Sequence, residues 1–213
     1  MRSLSHPVVI LTSGDHCGMT LSTLTCLSLR PLPLITFNVQ TPSASSRAMH
    51  ARGSFVIHLL RASPHAAHVA RAFAGSHSNT NASTGATAPG TTTPGTAAPW
   101  SLLRAPVERH PTTGVPLLGA EDGVLARLAC TQHKVVQVQD HEVWVGRVVT
   151  IEDLAGGAAG GPEEEEGEPG LMYQNRRFRR VGTELVAEFM RPGQEVRVGE
   201  EEGEGDEAEG KGS

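Results

Sequence analysis

Cys17, Cys26 and Cys130 are the only thiols, an odd number with no two of them spaced as C-x-x-C. That excludes a disulfide framework and a thiolate zinc clip, and leaves reduced thiols in an intracellular protein as the simplest reading. Long apolar runs are missing too: none approaches the roughly 20 residues that a helical membrane span requires. Neither a P-loop nor a dinucleotide-binding glycine motif occurs, so phosphate, if bound, is held by other means. Only residues 1–5 precede the first strand-like segment. No targeting peptide is therefore expected in this stretch; the expected compartment is the cytoplasm, with a mitochondrial one open if a leader is missing ahead of Met1. Asn81-Ala82-Ser83 matches a glycosylation triplet, but without a secretory signal it reads as chance in an Asn/Ser-rich tract.

Over residues 76–99 the only apolar side chains are alanines. Such a segment buries too little surface to offset its ordering entropy. A disordered insert is expected there, extending to about residue 113. Residues 155–168, with their run of four glutamates, and the acidic tail 193–213 fail the same test through glycine and repelling carboxylates. One domain over 1–192, interrupted by two inserts and followed by a tail, is the expected organisation. Of the 23 acidic residues, 13 lie in the glutamate insert and the tail, with only Arg197 and Lys211 of the 18 basic ones. The remaining 10 acids meet 16 bases, so the folding part is mildly basic. That suits a small anionic ligand and is too weak and scattered for nucleic acid. Arg176, Arg177, Arg179 and Arg180 form the one dense basic cluster; on residue type alone a solvated strand or turn outweighs a ligand site.

Residues 8–11, 34–39 and 55–60 are β-branched and apolar on both faces, as in strands covered on two sides. Residues 45–51 read as a short helix ending at Gly53. Ser63 offers an N-cap with Pro64 at the first helical position, and Ala66, Val69, Ala70 and Phe73 recur at helical spacing. Alternation resumes over 124–131, 135–139 and 142–152, with Trp144, Gly146 and Val148 on one face. About six strands with one or two short helices, and no helical crossovers, predict a mainly β, Greek-key-like antiparallel barrel.

The stretch GMTLSTLTCLSLRP carries Thr20, Ser22, Thr23, Thr25 and Ser28 between leucines. Backbone N–H groups and Ser/Thr hydroxyls converging in a turn can hold phosphate, and Ser43 with Ser45 provide a second set just past a strand end. On residues alone the plainer reading, hydroxyls on a half-exposed strand, weighs more.

Six motifs in register change that balance. HPVVILTS, GMTLSTLTCLSLRPLPLITFNV, PSASS, RGSFVIHLL, DHEVWVGRV and LMYQNRRFRRV together resemble the flavin reductase-like family, whose fold is the FMN-binding split barrel. The resemblance implies a split β-barrel homodimer that binds FMN or FAD near its subunit interface. It also implies hydride transfer from NADH or NADPH to the flavin, and a flavin-dependent monooxygenase as a possible recipient. Carried onto this chain, Thr20, Leu21, Ser22 and Thr23 would wrap the flavin, with Cys26 and Ser28 lining the ring or ribityl region. Asn38, Ser43 and Ser45 match the motif that holds the phosphate. His141, in the family's Gly-Asp-His turn, would face the open side of the ring as the candidate catalytic residue; Gln139 stands where that turn has glycine. Tyr173, Arg176 and Arg177 would close over the site or simply pack. No metal ligand set, nucleic-acid surface or membrane segment is expected. The rival readings are a flavin-binding interaction module that does not turn over and an oxidase like the pyridoxamine phosphate oxidases, which would consume oxygen with an amine.

Overall fold

The computed structural model describes residues 4–75, 99–155 and 169–181. The strands are β1 (His6–Pro7), β2 (Val9–Ser13), β3 (Cys17–Leu21), β4 (Thr25–Ser28), β5 (Leu34–Gln40), β6 (Ser54–Leu60), β7 (Glu108–Arg109), β8 (Pro116–Leu117), β9 (Val124–Val138), β10 (His141–Asp153), β11 (Leu171–Gln174) and β12 (Arg177–Arg180). Helix α1 (Ala44–Arg52) lies between β5 and β6, and α2 (Pro64–Gly75) follows β6. Seven strands form the main sheet in the order β3-β2-β6-β9-β10-β5-β4, antiparallel throughout. A smaller sheet, β1-β11-β12, carries the end of the described chain.

That order dictates a rolled sheet. Strands β3 and β4 are the two edges, yet only residues 22–24 join them. Laid flat, seven strands at about 4.8 Å spacing would separate those edges by roughly 29 Å. Three linking residues reach only about 14 Å when fully extended. The sheet therefore curls until its edges approach without pairing to each other, which is the split-barrel fold.

Both faces of β2 are covered because the barrel is filled on one side and plated by a helix on the other. Val9 and Leu11 join Phe37, Phe55, Ile57 and Trp144 in the interior. Val8 and Ile10 pack instead with Ala66, Val69, Ala70 and Phe73 of α2, all four fully buried. The predicted caps are present: Ser63 Oγ accepts from Ala66 N at 3.2 Å, and Gly53 ends α1 at φ 62°, where glycine carries no Cβ penalty. At Gly146 a Cβ would lie 2.5 Å from Phe55 Cζ, so glycine lets β10 pass the ring.

Two expectations change. Residues 99–113 are structured: Pro99–Leu102 is a 3-10 turn, and Trp100 sets its ring edge-on to Phe73 at 5.0 Å, with β7 and β8 forming a ribbon beyond. Apolar content resumes at Trp100, which anchors this segment; the inserts expected over residues 76–98 and 156–168 and the tail lie outside the described residues. The second change is in β9, one 15-residue strand where the sequence suggested an interruption near residues 132–134. Backbone pairing with β10 carries it through exposed polar positions. No helix of the described residues is long and apolar enough to cross a membrane.

Candidate functional site

The hydroxyl ladder lies along the open seam between β3 and β4, and most of it is committed to the protein itself. Thr20 Oγ1 donates to the Ala70 carbonyl at 2.6 Å, tying β3 to α2. Thr23 Oγ1 accepts from Asn38 N at 3.0 Å, extending the β4–β5 ladder one step past the end of β4. Ser28 Oγ donates to the Arg30 carbonyl at 2.8 Å. Leu21 is buried in the barrel, so only its backbone is available to a ligand, while Cys26 is exposed on β4. Ser22 is different: it has no hydrogen-bond partner among the described residues and lines a cleft of about 530 Å³.

That cleft runs between β3, α2 and the β11–β12 hairpin. Val8, Thr20 and Ser22 form one wall and Tyr173 and Phe178 another, with their rings edge-to-face at 5.4 Å. Arg71 from α2 and Arg176 and Arg177 from the hairpin also line it. Arg71 was not legible as a site residue; its only signal was its place beside Ala70 on the polar side of an amphipathic helix. An apolar and aromatic wall, a free hydroxyl and unpaired cations suit a flat ring bearing phosphate.

The other predicted residues assemble elsewhere. Ser43 caps α1, its Oγ accepting from Ser46 N at 3.1 Å, and Ser45 is buried in the first turn. Ser43 Oγ serves there as an acceptor only, which leaves its O–H able to donate. His141 opens β10 opposite Gln40, three residues before Ser43, so the hairpin tip and the start of α1 are neighbours. Its Nδ1 lies 2.9 Å from Asp140 Oδ1, and its Nε2 has no partner among the described residues. That hydrogen bond from His141 is the main reason the Asp140 carboxyl sits below its ordinary range. Gln139 adopts φ 54°, the left-handed backbone for which glycine is the unstrained choice. Asn38, Ser43, Ser45 and His141 do not line the Ser22 cleft, so within one chain the predicted set divides into two groups.

Sequence reasoning missed the polar node that supports α1. Glu142 Oε2 accepts from Ser46 Oγ at 2.8 Å and from Trp144 Nε1 at 2.9 Å, and Oε1 meets His50 Nε2 at 2.9 Å. Burial acts to raise the Glu142 pKa, but the bonds from His50, Ser46 and Trp144 outweigh it and hold the carboxyl below its usual value. The available signal was its parity: Glu142 shares a strand face with Trp144, Gly146 and Val148. His58 is a second such group. It is fully buried between Ile10 O, 3.1 Å from Nδ1, and Leu118 N, which donates to Nε2 at 3.1 Å. Burial pushes its pKa down to about 3, and the nearby Arg127 adds to the shift, against the hydrogen bond to Ile10.

A family model described as a flavin reductase like domain matches residues 1–182. NADH:FMN oxidoreductases of Rhodococcus erythropolis and Rhodococcus qingshengii are each 28% identical over 173 residues, covering 81% of this chain and 73% of theirs. Among solved structures, the Streptomyces globisporus C-1027 NADH:FAD oxidoreductase SgcE6 superposes with a TM-score of 0.60 at 21% identity, over 85% of this chain and 89% of its own. BorF, the flavin reductase component of a bacterial two-component tryptophan halogenase, gives 0.60 at 25% identity, over 86% and 94%.

Proposed function

The chain belongs to the flavin reductase-like domain family, and from that premise we propose that it is an oxidoreductase that reduces FMN or FAD with NADH or NADPH. The observation that carries this reading is the family match across 1–182, which spans every described element of the barrel. The relatives named for NADH-dependent flavin reduction support it. The Ser22 cleft fits the group: a 530 Å³ space with aromatic walls, a free hydroxyl and three cations.

A bound flavin would supply the redox chemistry as acceptor of the hydride that NADH or NADPH gives up. The protein's share is orientation, since the rate gain comes from holding two rings in contact. Ser22, with its hydroxyl free, and the backbone of residues 20–23 hold the ring edge. Tyr173 and Phe178 exclude water from one side. His141, held through Nδ1 by Asp140, would turn Nε2 toward the ring, where it donates only when the imidazole carries both protons. Because His141 and Ser22 do not share a cleft within one chain, the reading includes a homodimer in which the partner completes the site. Exposed Leu27, Leu29, Val136 and Val138 on β4, β9 and the loop after β4 offer apolar surface for such a contact. A flavin-dependent monooxygenase, as the recipient of reduced flavin, completes the proposal.

The test mixes purified protein with NADH or NADPH and excess FMN or FAD and follows nucleotide absorbance. Oxidation well above the no-protein rate is expected with at least one pair. A protein that turns yellow yet consumes neither nucleotide would refute catalysis and favour the non-catalytic binding module.

A further inference from the structure

The three arginines that line the cleft have no carboxylate partner among the described residues. Arg71, Arg176 and Arg177 come from two separate elements and converge on one space. All three are exposed, so water screens much of their mutual repulsion, and an anion between them would relieve the rest. The hairpin adds a separate indication. Asn175 and Arg176 occupy the two central positions of its tight turn at φ 52° and φ 61°. A turn with both residues in the left-handed region favours glycine at the second place; arginine there keeps a guanidinium at the cleft at a conformational cost. Arg179 and Arg180, on the same strand, do not line the cleft.

We propose that this arginine triad is a phosphate-recognition subsite for a nucleotide whose ring lies against Tyr173 and Phe178. Among the described residues, no other basic side chain lines the cleft. Guanidiniums are suited to phosphate because their forked N–H donors match its oxygens. The phosphate has two possible sources, the flavin or the pyridine nucleotide. The proposal rests on the flavin reductase reading for its choice of ligands, but its test is equilibrium binding and needs no turnover.

Titration calorimetry on the full chain measures the Kd of FMN, riboflavin, NADPH and NADH for the wild type, for Arg176→Gln/Arg177→Gln, for Arg71→Gln and for the control Arg179→Gln/Arg180→Gln. Loss of one charge-assisted phosphate contact weakens binding by about 10-fold or more. If the flavin is the source, FMN loses that factor in both cleft variants while riboflavin changes less than about twofold. If the pyridine nucleotide is the source, the NADPH or NADH Kd rises instead and FMN keeps its advantage over riboflavin. In either case the control stays near wild type, and Arg71→Gln guards against a merely distorted hairpin. Unchanged affinities in both cleft variants overturn the proposal, as does an equal loss in the control. A wild type that binds FMN but oxidises no nucleotide counts against the catalytic reading alone.

Discussion

His58 makes the barrel acid-sensitive in a defined window. Its ring is fixed as one neutral tautomer: Nδ1–H donates to Ile10 O and Nε2 accepts from Leu118 N–H. A second proton would sit on Nε2 facing another donor, with no solvent to stabilise the charge, and the folded pKa accordingly falls to about 3. In the unfolded chain the ring titrates at its ordinary 6.5. Because the folded value is the lower one, the unfolded state binds more protons between them. Stability is therefore full above pH 6.5 and declines as pH falls toward 3, by about 1.4 kcal/mol per unit. Moving from pH 7.5 to 5 removes about 2 kcal/mol from a domain whose total stability is about 5–15 kcal/mol. Urea unfolding followed by the fluorescence of Trp144 and Trp100 reads this directly, with a midpoint drop of about 1 M. Glu142, with its lowered pKa, contributes above its ordinary 4.5 and loses that contribution below it, so measurements at pH 5 and above separate the two. His58→Gln lowers stability at pH 7.5 and flattens the slope between pH 6.5 and 5. A wild-type midpoint unchanged from pH 7.5 to 5 refutes the reasoning.

Other substitutions test other parts of the structure. Ser22→Ala is expected to weaken flavin binding by about 1 kcal/mol with an unchanged melting temperature, whereas Ser43→Ala removes a helix cap and destabilises the fold by about 1 kcal/mol; fluorescence titration and thermal melts distinguish them. Glu142→Ala leaves Ser46, His50 and Trp144 without their shared acceptor, a loss of about 2–3 kcal/mol by urea titration. Gly146→Ala drives a methyl into the Phe55 ring and costs about 1–3 kcal/mol, visible as a lower melting temperature. Replacing residues 77–97 by a short Gly/Ser linker, while keeping Trp100 on Phe73, leaves the melting temperature level or slightly higher, because a shorter loop costs about 1 kcal/mol less to close; a fall of several degrees would show that the segment packs.

Elements whose signals are local were legible in the sequence. Helix α2 announced itself through Ser63, Pro64 and the spacing of four residues that all prove fully buried. Gly53 marked the end of α1 for an equally local reason, its left-handed backbone. What escaped depended on partners distant along the chain. Arg127 is a charged residue in an alternating strand, yet it is buried with Nε donating to Leu118 O. Glu142 meets Ser46 across 96 positions, and nothing in either neighbourhood names the other. Cys130, by contrast, behaves as its apolar alternation suggests, an interior thiol whose pKa burial raises to about 12.

The same distinction governs the hydroxyl ladder. An unpaired sheet edge exposes N–H and C=O groups that invite unwanted pairing, and a barrel left open has two such edges side by side. Short hydroxyl side chains can engage those groups without closing the seam. Thr23 supplies an acceptor to Asn38 N–H where β4 has run out, Thr20 fastens β3 to the Ala70 carbonyl, and Ser28 holds the turn into residues 30–33. Three hydroxyls of this stretch thus serve the protein itself. A ligand needs a hydroxyl that this architecture has not already used, and residue type carries no mark of that. Register does: with β3 ending at Leu21 and β4 starting at Thr25, Ser22 lies between the two ladders and belongs to neither. Its freedom is a consequence of the split, so the feature that leaves the barrel open is also the one that equips the cleft.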